Sequence, residues 1–424
     1  MARRLNVTDG YAIINAMADE MFGANATIQA IDESSFASVG ESILNSGIEN
    51  VINTLSLVAS RDLVAIRPYK AKFRLINALD SGMFSNRIRK ISYYAKAAVP
   101  TGASNTDLYD ENLMMGADNG VHYDSSTPPV QKSVESMWLQ STPVVYQAWF
   151  GGAIEWQYPY TLYENALKSA FRSGDEWAQF LNGFLVSAAN DIETEKEAFS
   201  RLVVLNAIAG VADLTASMPG SFVNLTTEFN TKYGTSYTTA QLLSTYFTEF
   251  LAFFVATVKT VSDMMENRST LYHWSPAKTV GGQSYVLPRQ TKKEDQRMLM
   301  ISRFWNDAEA LVMPAIFNPQ YLSIDNFEKI DFWQNINDPT AISVTPAIPD
   351  VLSPGAQIAG SAVALDNVLG VLYDRDAIMV DFHLEDVTST PVEARKHYRT
   401  IWNTINKNPI WDPTENMVVF YMAD

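Results

Sequence analysis

A chain of 424 residues, 47% hydrophobic and 18% charged, holds enough apolar material for two or three ordinary domains and lies outside the composition of disordered chains. Its net charge of −16 excludes a general attraction to nucleic acid, because phosphate binding needs clustered Lys and Arg. The lack of cysteine excludes disulfides, thiolate nucleophiles and cysteine-ligated zinc together, and suits a reducing compartment.

Low charge content beside 21 Phe, 19 Tyr and 9 Trp fits large inter-subunit surfaces, since aromatic side chains are favoured in cores and contact surfaces alike. Met1-Ala-Arg-Arg-Leu-Asn-Val-Thr-Asp-Gly10 carries two charges but no apolar core of a signal peptide, so synthesis in the cytoplasm is expected. From Thr8 to about Ser60 the spacing predicts short helical pieces broken at Gly23, Gly40 and Gly47, forming an N-terminal arm. Between Arg61 and Pro100 nine basic residues face only Asp62 and Asp80, a net of +7. Thr101 to Val130 then holds Asp107, Asp110, Glu111, Asp118 and Asp124 with no Lys or Arg, a net of −5.

Alternation in Lys72-Phe-Arg-Leu-Ile76 and Arg87-Ile-Arg-Lys-Ile-Ser-Tyr-Tyr94 predicts strands, the acidic stretch reads as the tip of a long excursion, and strand-like sequence resumes over Trp138 to Trp156. Such a two-stranded arm buries too little to hold itself and needs a neighbour to lie on. Ser173-Gly-Asp-Glu176 matches a capping box, and apolar residues from Trp177 onward predict one long helix from Gly174 to Ala209, stopped at Gly210. A second, largely buried helix is predicted from Thr239 to about Asn267. Its apolar run Phe250 to Ala256 lies between Glu249 and Lys259 and is too short to cross a membrane. Arg297 to Arg303 reads as a buried strand, and Asn306 as the cap of a third helix through Ala315. Pro339, Pro346, Pro349 and Pro354 argue for loops and edge strands over Asp338 to Gly360, and the tail from Leu365 alternates short strands with turns.

Motifs for chemistry are missing. His122, His273, His383 and His397 are scattered without metal-ligand spacing, Gly151-Gly152 and Gly281-Gly282 lack a phosphate-cradling context, and Ser275-Pro-Ala-Lys278 is a four-residue chance pattern. Asp374-Arg-Asp376, between two strand-like runs, reads as a polar turn rather than a cation site. No cofactor, metal or catalytic residue is expected.

An arm with Phe36-Ala-Ser-Val-Gly-Glu-Ser-Ile-Leu44, a spine over Asn165 to Asn206, and the C-terminal runs Val368-Leu-Gly-Val-Leu-Tyr-Asp-Arg-Asp-Ala-Ile378 and Thr414-Glu-Asn-Met-Val-Val-Phe420 follow one another in order. That order resembles the α+β fold of tailed-phage major capsid proteins, the Hong Kong 97 fold, most closely those of short-tailed phages. The resemblance implies an N-terminal arm over 1–60, an extended loop with flanking strands over 61–158, a peripheral domain with the spine helix over 159–238 and 366–424, and an axial domain over 239–365. It further implies a structural protein that self-assembles into hexamers and pentamers of an icosahedral shell in the virion. The loop then reaches over an adjacent subunit, making Arg87, Arg89, Lys90 and Lys96 candidates to meet Asp107, Asp110, Glu111 or Asp118 of a neighbour. A separate scaffolding protein and a portal protein at one vertex are implied partners, decoration proteins are compatible, double-stranded DNA enters only as the enclosed genome, and no membrane is involved. An encapsulin-type compartment enclosing cargo enzyme shares the fold and is the alternative.

Overall fold

The computed structural model describes residues 7–22, 29–45, 73, 76–79, 88–94, 144–151, 154–171, 173–280, 283–311, 326–351, 353, 355–391, 393 and 395–424. In chain order the helices are α1 (Val7–Phe22), α2 (Glu33–Asn45), α3 (Glu164–Ala170), α4 (Gly174–Asp213), α5 (Leu225–Tyr233), α6 (Thr239–Leu242), α7 (Phe247–Met265) and α8 (Ser302–Leu311). The strands are β1 (Asn77–Leu79), β2 (Ile88–Tyr93), β3 (Val145–Phe150), β4 (Ile154–Tyr163), β5 (Phe222–Asn224), β6 (Lys278–Val280), β7 (Gln283–Tyr285), β8 (Gln296–Ile301), β9 (Phe327–Ile330), β10 (Ile342–Val344), β11 (Ala347–Pro349), β12 (Gln357–Ala359), β13 (Val363–Leu365), β14 (Asn367–Asp374), β15 (Ile378–Ser389), β16 (Tyr398–Trp411) and β17 (Met417–Met422). This mixture, with helices and strands segregated along much of the chain, is the α+β class that the sequence predicts.

Two compact units divide the chain. The first takes the described residues of Met1–Lys72, Ala153–Phe199 and Phe382–Lys407. Ile14, Met17 and Ala18 on α1 and Phe36, Val39 and Ile43 on α2 recur at helical spacing and are buried with Phe171 and Trp177. Asp32 Oδ1 accepts from the Ser35 N–H (2.8 Å) while Ser35 Oγ accepts from the Asp32 N–H (2.9 Å), which satisfies two donors at the start of α2. Helix α2 runs through Gly40, where the sequence predicts a break. A Cβ there would stand 3.0 Å from Phe171 Cδ1, so the glycine serves ring contact and not chain reversal. At α4 the expected cap is present, with Ser173 Oγ accepting from the Glu176 N–H at 3.3 Å. Strand β16 pairs antiparallel with β4 from Tyr398↔Tyr163 to Lys407↔Ile154.

The second unit takes the described residues of Phe73–Gly152, Ser200–Asp381 and Asn408–Asp424. Its centre is a five-stranded mixed sheet in the order β5-β17-β14-β8-β9, and the apolar runs of β8, β14 and β17 are buried almost throughout. Leu225, Phe229, Phe250, Phe254 and Phe304 from α5, α7 and α8 pack on Met298, Leu372 and Phe420 of the sheet. The single helix expected over Thr239 to Asn267 is two. Thr238 and Gln241 form a capping box for α6, the Tyr246 N–H turns back to Gln241 O at 3.0 Å, and α7 begins at Phe247. Helix α8 starts at Ser302, directly after β8, and Asn306 lies inside it, because Phe304 and Trp305 must already be helical to reach the core. Helix α4 likewise continues past Gly210 to Asp213: a Cβ at Gly210 would lie 2.1 Å from Trp411 Cη2, so this glycine admits the indole. The Pro-rich stretch forms short antiparallel pairs, β10 with β13 and β11 with β12.

Candidate subunit interface

Strands β2 and β3 form a two-stranded antiparallel ribbon, registered from Ile88↔Phe150 to Tyr93↔Val145. Side chains alternate across a pleated ribbon, so Ile88, Lys90 and Ser92 share one face with Tyr146, Ala148 and Phe150. The opposite face carries Arg89, Ile91 and Tyr93 with Val145, Gln147 and Trp149. On the inner face Tyr146, Ala148 and Phe150 are buried with Leu287, Val351, Met379 and Ile410.

The polar part of that inner face is ionic. Lys90 Nζ donates to Asp412 Oδ2 (2.5 Å) and to Glu415 Oε1. Arg289 Nε lies 3.2 Å from Glu415 Oε1 and donates to Thr414 O at 3.0 Å, while its Nη2 donates to Ser92 Oγ at 2.9 Å. Asp412 Oδ1 accepts from the Thr414 N–H (2.9 Å) and hydroxyl (2.7 Å). Two cations thus face two carboxylates, with every charge directed at an opposite one. Burial pulls the Lys90 ammonium down, but the Asp412 and Glu415 carboxylates more than offset it and hold it above the ordinary lysine value. Burial alone would raise Asp412; the Lys90 ammonium and the Thr414 donors override it and hold the carboxyl low. For Glu415 burial wins, and its carboxyl is pushed up despite Lys90 and Arg289.

Of the residues predicted to meet a neighbour, Lys90 is paired with Asp412 and Glu415 of its own chain. Arg89 is exposed, its guanidinium 5.7 Å from the Trp149 ring centroid. Arg87, Lys96, Asp107, Asp110, Glu111 and Asp118 lie outside the described residues. Sequence reasoning missed Arg289, Asp412 and Glu415, which no spacing rule connects to Lys90. It also missed the apolar outer face, although the alternation in Arg89-Lys-Ile-Ser-Tyr93 already places Ile91 and Tyr93 together.

Other polar groups have structural tasks. His273 Nε2–H donates to Leu287 O (2.7 Å), Nδ1 lies 3.0 Å from Asn416 Oδ1, and burial pulls the imidazole down to about 4. Ser275 Oγ accepts from the Leu287 N–H at 3.0 Å. The expected turn after β14 is present: Asp374 O accepts from the Ala377 N–H (2.9 Å) and Asp374 Oδ1 from the Asp376 N–H (2.8 Å). In the first unit the fully buried Lys407 donates to Glu195 Oε1 (3.1 Å) and the Tyr158 hydroxyl (3.2 Å). Among the described residues no three His, Asp or Glu are grouped to hold a metal ion, and no helix is long and apolar enough to cross a membrane.

The capsid structure of Staphylococcus phage Andhra is 12% identical, with a TM-score of 0.45 over 83% of this chain and 84% of that one. The capsid structure of cyanophage P-SCSP1u is 8% identical, with a TM-score of 0.39 over 84% of this chain and 89% of that one. Both likenesses are distant, and no curated protein matches. The family model of the Phi29-like phage major capsid protein, by contrast, matches residues 108–421, well over half of the sequence. The chain belongs to the Phi29-like phage major capsid protein family, and is a structural subunit of a phage capsid.

Proposed function

We propose that the chain assembles with copies of itself into hexamers and pentamers that close into an icosahedral shell around the phage genome. The observation that carries this reading is the family match over residues 108–421, which also favours a phage shell over an encapsulin-type compartment. In this reading 159–238 with 366–424 is the peripheral domain, 239–365 the axial domain, 1–60 the arm and 61–158 the extended loop. The subunit is made in the host cytoplasm and joins a separate scaffolding protein, a portal protein at one vertex and, where present, decoration proteins. Double-stranded DNA is enclosed rather than gripped, in keeping with a net charge of −16.

The ribbon roots the long loop. Arg87, Arg89 and Lys96 remain the candidates to meet Asp107, Asp110, Glu111 or Asp118 of the adjacent subunit, while Lys90 holds the ribbon to its own chain. Heterologous contacts of this kind close into rings. The test is the double reversal Arg89→Glu and Lys96→Glu, which spares Lys90 and its buried partners. Folded subunits that no longer form shells are expected; normal assembly would exclude the charged contact.

A further inference from the structure

Strand β4 ends its sheet. In the order β1-β15-β16-β4 it lies beside β16 and, among the described strands, has none on its other side. It has ten residues, against three or four in β1, β5 and β9 at the other edges of the two larger sheets, and offers roughly 34 Å of open backbone at about 3.4 Å per residue. Its sequence, Ile154-Glu-Trp-Gln-Tyr-Pro-Tyr-Thr-Leu-Tyr163, holds four aromatic residues and a single charge, Glu155. Such strands readily pair with one another across open edges. Trp156 and Tyr163 are 44% and 56% exposed. Pro159 stands at the centre, exposed, opposite Trp402 of β16, and the ladder with β16 runs unbroken through it. Proline has no N–H, so its position in that ladder is one whose backbone groups face away from β16. Backbone direction alternates along an antiparallel strand. Tyr158 and Tyr160 therefore turn their N–H groups to β16, whereas Gln157, Pro159 and Thr161 face the open edge.

We infer that Pro159 sets the specificity of self-assembly by closing the β4 edge to β4 of a second copy. The inference rests on the self-assembly reading and adds to it a contact that assembly must exclude. Two β4 edges meet antiparallel about a two-fold axis, an isologous pairing that stops at two copies, whereas rings of subunits need heterologous contacts. With Pro159 on that axis the two prolines stand opposite each other where a pair of N–H···O bonds would form, and the middle of the ladder is lost. The strand cannot avoid pairing by bending away. Its inner face is held, since Trp156 and Tyr158 present their rings to the Lys407 ammonium at 4.7 and 5.7 Å and Leu162 is buried with residues of α1 and α2. The edge is thus fixed in extended form, ready to accept a strand, and the missing donor at its centre is what refuses one. Shell assembly makes the guard matter more, because it holds many copies close together.

The test uses the full-length chain co-expressed with its phage's scaffolding protein. Pro159→Thr restores the N–H with a residue of high strand propensity. Its subunits are expected to keep the urea midpoint of the unaltered chain, to run at twice its size or more on sizing chromatography, and to lose shell yield about tenfold. Pro159→Lys also restores the N–H but sets like charges opposite each other across the two-fold axis, and is expected to behave as the unaltered chain does. Amide exchange of the unaltered chain is decisive without any variant: the amides of Gln157 and Thr161 should exchange about tenfold or more faster than those of Tyr158 and Tyr160, in subunits and shells alike. Protection of Gln157 and Thr161 in shells would show a strand docked on this edge and overturn the proposal, as would full shell yield from Pro159→Thr or association of Pro159→Lys to the same extent. If the unaltered chain forms no shells, the self-assembly reading itself fails; if it forms them and these tests come out negative, only the role of Pro159 does.

Discussion

Replacing Lys90 by Met keeps the aliphatic stem and removes the ammonium, which leaves Asp412 without its counter-ion. Asp412 is fully buried and keeps only its Thr414 donors, whereas Glu415 retains Arg289 at 3.2 Å. Removing one partner of a buried pair costs about 3–5 kcal/mol. Because the Lys90 side chain is 21% exposed and Arg289 still serves Glu415, the lower end applies, about 3 kcal/mol. The assay is urea unfolding of dilute, unassembled subunits at neutral pH, with amide hydrogen exchange to locate the loosening in β2 and β3. Adding Glu415→Gln to Lys90→Met should recover part of the loss, since burial already disfavours that carboxylate. Acid should reproduce the effect: Asp412 titrates below its ordinary value when folded, so its stabilisation is complete above the unfolded value of about 3.9 and is lost as pH falls through the folded one. A Lys90→Met subunit within about 0.5 kcal/mol of the unaltered one, yet defective in assembly, would refute the intrachain pairing and return Lys90 to the intersubunit surface.

Two further changes probe the same unit. His273 is neutral when folded, held at about 4 against an ordinary 6.5, so the unfolded chain takes up a proton first as pH falls. The stability this residue confers should drop by about 2 kcal/mol between pH 7 and pH 5, and His273→Gln should remove that component from urea titrations; an unchanged pH profile would contradict it. Gly210→Ala would gain about 1 kcal/mol in an open helix, but the new methyl would lie 2.1 Å from the Trp411 ring, so the upper end of the overpacking cost, about 3 kcal/mol, applies and should leave the subunit about 2 kcal/mol less stable, read as a lower thermal midpoint. Equal or higher stability would show that the indole is free to move aside.

The sequence carried what depends on local pattern. The Ser173 cap, the apolar runs that became β8, β14 and β17, and the turn at Asp374 are all written within a few consecutive residues, and the family follows from their order. What it hid depends on distant partners. Gly40 and Gly210 read as breaks because glycine usually ends helices, but Phe171 and Trp411 turn both into close contacts within helices. Strand β16, with 14 residues, was missed because Thr400, Asn403, Thr404, Asn406 and Asn408 interrupt its apolar alternation and Pro409 suggests a turn. The capping box of Thr238 and Gln241 marks the start of α6, where the sequence places it, but the break before α7 has no side-chain cap at Tyr246 to announce it. Lys90 looked like one more charge in a basic run; its partner Asp412 lies 322 residues further along the chain.

The most direct test of the central claim is electron microscopy of the purified chain after co-expression with its scaffolding protein, with sizing chromatography of the same sample. Closed shells, or rings of five and six subunits, are predicted. A clean monomer or dimer under these conditions would contradict the account.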